Sequence, residues 1–177
     1  MKKNFKALIK QINTFVFDVD GVFTDGTLLI SENGELLRKM NVKDGLAVKM
    51  ALDKNYRVCI ITGGTNQDVK KRFKDLGITD VYLGSHYKKD DLLEYFDSYE
   101  INPEEVLYMG DDLPDIEAMS LCGLSSCPQD AVSEVKAQAD YISHINGGAG
   151  CVRDVIRQVM AVRGDWPSTS ESTKANG

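Results

Sequence analysis

Short apolar runs alternate along this chain with segments whose apolar residues recur at helical spacing, and that alternation restricts the fold more than any other feature. The runs are Thr14 to Phe17, Arg57 to Ile61, Val81 to Leu83 and Glu105 to Met109, with shorter candidates at Gly123 to Ser126 and Tyr141 to Ser143. Helical patterns fall between them: Leu46 to Ala51 behind a capping Asp44; Val69, Phe73 and Leu76 stopped by Gly77; Asp90 to Tyr99; Asp115 to Leu121 with Asp115 as its cap; Val132 to Ala137; and Cys151 to Val162. Strands separated by helices need crossover connections, which are right-handed and build a parallel sheet covered on both faces. The predicted class is α/β. One departure is local: Thr27 to Ile30 and Leu36 to Met40 flank Asn33-Gly34 and read as a β-hairpin after the first strand.

The 177 residues suffice for one domain with a sizeable core, taken as residues 1–163, and the Ser/Thr-rich end, residues 164–177, reads as a mobile tail. A net charge of −6 without a long basic run argues against nucleic acid or an anionic membrane as partner. No long apolar segment follows the basic start of the chain, so neither a signal peptide nor a membrane span is expected. Cys59, Cys122, Cys127 and Cys151 form no close metal-type pair and read as reduced, mostly buried thiols of a cytoplasmic protein.

Ligands of open parallel sheets bind beyond the carboxyl ends of the strands, and the polar signals collect there. The first strand runs into Asp18-Val19-Asp20-Gly21, the second into Thr62-Gly63-Gly64, and the fourth into Gly110-Asp111-Asp112, while Lys88 lies just beyond the third. Acids crowded at strand ends repel one another unless a cation sits among them. The set suits phosphoryl transfer through an aspartyl phosphate. Asp18 would attack phosphorus. Mg2+ held by Asp18, Asp111 and the Asp20 backbone carbonyl, together with Lys88, would offset the charge repulsion between carboxylate and phosphate. Thr62 and the amides of Gly63 and Gly64 would bind the transferred group. Asp20 would protonate the leaving alcohol and then deprotonate the attacking water, and Asp112 would position Lys88 or a metal-bound water.

Each signal has a plainer reading. Asp/Gly-rich segments are common turns. Asp111 and Asp112 could merely cap the next helix, Lys88 beside Lys89 could be a solvated charge, and nothing pairs His86 with His144. The functional reading rests on all four signals falling at one end of one sheet.

Asp18-Val19-Asp20-Gly21-Val22-Phe23-Thr24-Asp25-Gly26, Ile61-Thr62-Gly63, Lys88 and Gly110-Asp111-Asp112-Leu113-Pro114-Asp115 together resemble the four motifs of the haloacid dehalogenase superfamily, over nearly the whole chain. The resemblance implies a Rossmann-like sheet, Asp18 as nucleophile, Asp20 as general acid/base and Mg2+ as cofactor. No separate cap domain fits between Asp25 and Met40 or between Thr62 and Lys88. The chain is similar to the capless group that hydrolyses 3-deoxy-D-manno-octulosonate 8-phosphate. That similarity implies an acidic sugar phosphate as substrate and a homotetramer in which neighbours cover each other's sites, their hairpins packing together. It also implies substrate contacts from Asn41, Val42, Lys43, Asp44, Gly45, Lys49 and Arg72, and adds the Gly147-Gly148-Ala149-Gly150 turn to the match. The plainer reading of the hairpin is a flap folded over its own core.

Two positions depart from that group: Gly64, where many members carry Arg, and Ala149, where many carry a basic residue. A phosphatase for the 9-phosphate of a nonulosonic acid is the enzymatic alternative; relatives of that kind carry Glu at the position of Gly64 and Lys at that of Asp75. A phospho-accepting receiver domain or a non-catalytic tetramerising domain would need no carboxylate at Asp20, whose presence counts against both.

Overall fold

The computed structural model describes residues 5–167. A short helix α1 (Phe5–Leu8) runs through a 3-10 turn (Ile9–Gln11) into β1 (Thr14–Phe17), and the acidic loop leads to a hairpin of β2 (Leu29–Ile30) and β3 (Leu36–Leu37). There follow α2 (Val42–Asp53), β4 (Arg57–Ile61), α3 (Gln67–Asp75), β5 (Asp80–Tyr82), α4 (Lys88–Tyr99), β6 (Val106–Met109), α5 (Ile116–Met119), β7 (Leu124–Cys127), α6 (Ser133–Gln138), β8 (Tyr141–Ile142) and α7 (Cys151–Arg163). Six strands form one sheet in the order β5-β4-β1-β6-β7-β8, every pairing parallel, and the hairpin stands apart as an antiparallel pair. The α/β, Rossmann-like architecture and the hairpin expected after the first strand are present.

β1 is central and buried at every residue. Its alternating side chains feed two cores, as the two-residue period of a strand requires. Phe15 and Phe17 pack with Val48 of α2, Phe73 of α3 and Val155 of α7 on one face. Val16 packs with Leu92 and Tyr95 of α4 and Met119 of α5 on the other. Large side chains buried this completely contribute roughly 1.5–3 kcal/mol each, so the strand carrying the acidic turn is among the most firmly held parts of the molecule. The turn is itself pinned: Phe23 meets Phe17 edge-on at 5.5 Å and Phe73 at 4.9 Å. All four cysteines are free and buried, and among the described residues no helix is long and apolar enough to cross a membrane.

Several boundaries move. The hairpin strands pair over two residues each rather than Thr27 to Ile30 and Leu36 to Met40. α4 begins at Lys88, so that lysine belongs to the first helical turn instead of the preceding loop. The cap assigned to Asp115 is made by Asp112, whose carboxylate accepts from the Leu113 amide at 2.7 Å, while Asp115 reaches back to the Asp112 amide at 3.3 Å. At the chain end, Gly164 to Trp166 do not behave as a tail. The Asp165 and Trp166 amides both donate to the Met160 carbonyl, and Arg153 lies 5.1 Å from the Trp166 ring. Residues 168–177 lie outside the described residues.

Asp44 does not cap α2, and its side chain is turned into the protein. Asn41 is the cap, accepting from the Lys43 amide at 2.9 Å. Asp44 is fully buried; one oxygen accepts the Arg153 amide of α7 at 2.7 Å and the other has no partner. It fastens α2 to the first turn of α7, and a substrate-binding role for it is corrected on that ground. Burial raises its carboxyl from 3.8 to about 6, against the opposing Arg153 amide. Because the folded pKa lies above the unfolded one, this group's favourable share is complete below 3.8 and is lost as pH rises through about 6. At about 1.4 kcal/mol per pH unit the loss is about 3 kcal/mol. Urea unfolding at pH 7.5 should find Asp44→Asn more stable than the parent, and the gap should shrink at pH 4.5; a gap that ignores pH would show the carboxyl to be unstrained.

Candidate active site

The carboxyl ends of β1, β4 and β6 open onto a cavity of about 420 Å3, lined by Asp18, Asp20, Thr62, Gly63, Gly64, Lys88 and Asp111 among others. Adjacent strands place these groups together because β1 is flanked by β4 on one side and β6 on the other. Asp18 is nearly buried; one oxygen accepts the Val19 amide at 2.6 Å and the other meets Lys88 Nζ at 2.8 Å. Lys88 Nζ also donates to Asp115 at 2.7 Å. Asp115 is wholly buried. Its Oδ1 also accepts the Tyr108 hydroxyl at 2.9 Å, and its Oδ2 takes the Asp111 and Asp112 amides at 3.1 and 3.3 Å. Of the two roles expected for Asp112, positioning Lys88 or a metal-bound water, the first is corrected: Asp115 holds Lys88, and Asp112 caps the turn that follows.

Asp18, Asp111 and Asp115 each place an oxygen within 4.8 Å of the others. Asp115 already accepts four donors, which leaves Asp18 and Asp111 as the carboxylates with capacity for a cation. Asp111 Oδ1 is buried and unpartnered, the condition a missing positive ligand would relieve. Gly21, at φ +88, makes the approach possible, since a Cβ there would lie 2.0 Å from the Asp111 carboxylate. Burial raises the Asp111 carboxyl to about 8, aided by the charges of Asp18 and Asp115. Burial, then Asp115, raises Asp18 to about 6 against the pull of Lys88. Lys88 is itself raised: burial opposes its charge, but Asp115 and Asp18 prevail. The donor set is hard oxygen, as a small divalent cation such as Mg2+ requires.

Thr62 is buried, and its hydroxyl accepts the Gly64 amide at 3.2 Å. That amide is therefore engaged, whereas the Gly63 amide and the Thr62 hydroxyl proton have no acceptor among the described hydrogen bonds. Asp20 sits at the mouth with both oxygens held by Arg38, Nε at 2.6 Å and Nη2 at 3.0 Å. Nothing in the sequence marks Arg38, which lies in the hairpin run beside Lys39, nor Tyr108, which reads only as a strand residue. Asn41, Val42, Lys43, Gly45, Lys49 and Arg72 do not line this cavity. Val42 is exposed at the start of α2, Gly45 packs near Arg72 and Leu76, and Arg72 faces a second cavity bounded by Leu36, Leu37 and Arg38.

An acidic pair, a buried lysine and a hydroxyl at the switch point of a parallel sheet define a metal-assisted phosphotransfer site. Residues 78–156 match the haloacid dehalogenase-like hydrolase family. The chain is 39% identical over 155 residues to the 3-deoxy-D-manno-octulosonate 8-phosphate phosphatase KdsC of Salmonella typhi, covering 88% of this chain and 82% of that protein. The Escherichia coli K12 protein of the same name is 38% identical over 158 residues, covering 89% and 84%. Among solved structures, the 3-deoxy-D-manno-octulosonate 8-phosphate phosphatase of Yersinia pestis superposes with a TM-score of 0.88 at 33% identity, covering 90% of this chain and 86% of that one. The phosphatase of that name from Moraxella catarrhalis, solved with a magnesium ion, a phosphate ion and a KDO molecule, gives 0.86 at 30% identity, covering 89% and 90%. The chain belongs to the haloacid dehalogenase-like hydrolases, in the branch these relatives represent.

A cation must displace protons from raised carboxyls, so its affinity rises with pH. Added Mg2+ should therefore raise the melting temperature more at pH 8 than at pH 6. An equal shift at both would mean that Asp18 and Asp111 do not hold it.

Proposed function

We propose that this chain is a Mg2+-dependent phosphatase that hydrolyses 3-deoxy-D-manno-octulosonate 8-phosphate to the free sugar acid and phosphate. The observation that carries this reading is Asp18, nearly buried and ion-paired with Lys88, facing Asp111 across a gap that fits a cation. The likeness to relatives of that activity supports the substrate. Asp18, Asp111 and the Asp20 carbonyl would hold Mg2+, which when bound supplies positive charge that stabilises the phosphoryl oxygens.

An Asp18 oxygen forms a bond to phosphorus as the bond to the alkyl oxygen breaks, and that oxygen takes a proton from the Asp20 carboxyl. Lys88 stands 2.8 Å from Asp18 and keeps the nucleophile in place, while its charge lowers the repulsion met by the incoming dianion. Thr62 and Gly63 donate to the transferred group in this reading. In the second half, water attacks phosphorus, Asp20 takes its proton, and the bond from phosphorus to Asp18 breaks, releasing phosphate.

The substrate's sugar acid reaches past this open cavity, and a neighbouring subunit is the natural wall. The hairpin supports a homotetramer: Leu28, Leu29, Ile30, Leu36 and Leu37 are all exposed on it, a contiguous apolar surface of the kind that marks an interaction site. In such an assembly Arg72 and the Asn41–Lys43 helix opening would act on a neighbour's substrate. Four buried free thiols are consistent with a reducing, cytoplasmic setting.

Four measurements test this. Asp18→Asn should lose activity by at least about a thousandfold with an unchanged melt, and a side-by-side assay should rank the eight-carbon acid phosphate above nine-carbon 9-phosphates; an active variant or the reverse ranking would refute the nucleophile or the substrate respectively. Sedimentation should show four subunits, and Ile30→Lys should yield monomers with reduced turnover; a fully active monomer would remove the neighbour from the site.

A further inference from the structure

Arg38 is the one group on the hairpin that touches the chemistry. Its side chain is 8% exposed, and Nε and Nη2 bind the two oxygens of Asp20 at 2.6 and 3.0 Å. Nη1 donates to the Leu36 carbonyl at 3.1 Å, which fixes the fork from behind. Gly64 lies alongside it: a Cβ there would make ordinary contacts, 3.4 Å from Arg38 Nη2 and 3.6 Å from Asp20 Oδ2. Among the described residues Asp20 is the only acid within ion-pair distance of Arg38. The Asp20 side chain is 35% exposed at the cavity mouth, and without this fork nothing else in the described hydrogen bonds holds its carboxylate.

We propose that Arg38 is a positioning residue that orients the Asp20 carboxylate for both of its proton transfers, and so ties the hairpin to turnover. The inference rests on the phosphatase reading above. A planar guanidinium bound to both oxygens fixes the carboxyl plane while leaving each oxygen one further position, which carries the proton passed to the leaving oxygen and afterwards accepts the proton of the water. Binding of phosphate is assigned elsewhere, to Lys88, Thr62 and Gly63, so Arg38 should act on proton transfer and not on phosphoryl capture.

p-Nitrophenyl phosphate separates these roles, because p-nitrophenolate departs without a proton whereas water attack on the phospho-enzyme still needs a base. In Arg38→Met, kcat/KM for this ester should stay within about threefold of the parent. Its kcat should fall about 10- to 100-fold, with a stoichiometric burst of p-nitrophenolate as phospho-enzyme accumulates. On the eight-carbon ester, whose alkoxide must be protonated, kcat/KM should also fall by about that factor. Arg38→Lys, which offers one donor in place of a fork, should lie between. In an Asp20→Asn background Arg38→Met should cost nothing further.

Equal losses of kcat/KM on both esters would make Arg38 a phosphate contact. A further loss in the Asp20→Asn background, or unchanged kinetics in Arg38→Met, would equally overturn the proposal. If the parent enzyme hydrolyses the aryl ester but not the eight-carbon one, the substrate assignment fails, and the burst alone decides the role of Arg38.

Discussion

The site depends on how Asp115 is buried. An isolated carboxylate in this position would cost several kcal/mol of lost hydration. Asp115 avoids that cost by accepting Lys88, Tyr108 and the amides of Asp111 and Asp112. Those donors come from the first turn of α4, from β6 and from the loop beyond β6, so one side chain joins three elements. Its satisfaction creates the dissatisfaction of its neighbours. With both Asp115 oxygens taken up by donors, Lys88 is shared between Asp115 and Asp18, and Asp111 faces two acids with one oxygen unpartnered. The fold thus stores an electrostatic deficit at one point, and a divalent cation is the simplest group that fills it.

Close backbone approach supports that arrangement from the other side. A Cβ on Gly147 would lie 1.9 Å from the Gly21 carbonyl oxygen, so the turn before α7 is pressed directly against the acidic loop. The Gly148 amide donates to Val22 and Cys151 lies against the same carbonyl. The same helix takes Asp44 at its first turn. α7 therefore buttresses both the nucleophile loop and α2 without contributing a group to the cavity. That is why the glycine turn belongs with the motifs although it performs no chemistry.

Strand ends were legible because a strand and the polar residues that leave it are contiguous. Thr14 to Phe17 followed by Asp18 and Asp20, or Val106 to Met109 followed by Asp111, carries its position in the local pattern. Pairings across the chain leave no such trace. Arg38 reads as one of two adjacent surface cations, and only the folded hairpin turns it back onto Asp20. Tyr108 reads as core, and its hydroxyl matters only because Asp115 lies behind it. Asp44 shows the converse error. An acid near a helix start suggests capping or ligand contact, and only the packing of α7 over α2 shows that it points inward. Asp112 and Asp115 exchanged roles for a related reason: both stand at a helix start, and the choice between cap and anchor is set by where Lys88 arrives.

The hairpin brings these threads together. A capless site must be closed by something other than its own chain body, and the exposed Leu29 and Ile30 lie on the same short element that sends Arg38 inward to Asp20. Gly64 departs from the related phosphatases, many of which carry arginine there. In this chain the Arg38 guanidinium stands beside that position, 3.4 Å from where a Cβ would lie, and comes to the cavity mouth from the hairpin. A charge on the body of the sheet would be indifferent to the hairpin's surroundings. A charge carried by the hairpin is not, so in the proposed assembly a neighbour packed against Leu29 and Ile30 would bear on how Arg38 is held. In this chain the exposed apolar surface of the hairpin and the Asp20 carboxylate are joined through Arg38, the residue that follows β3.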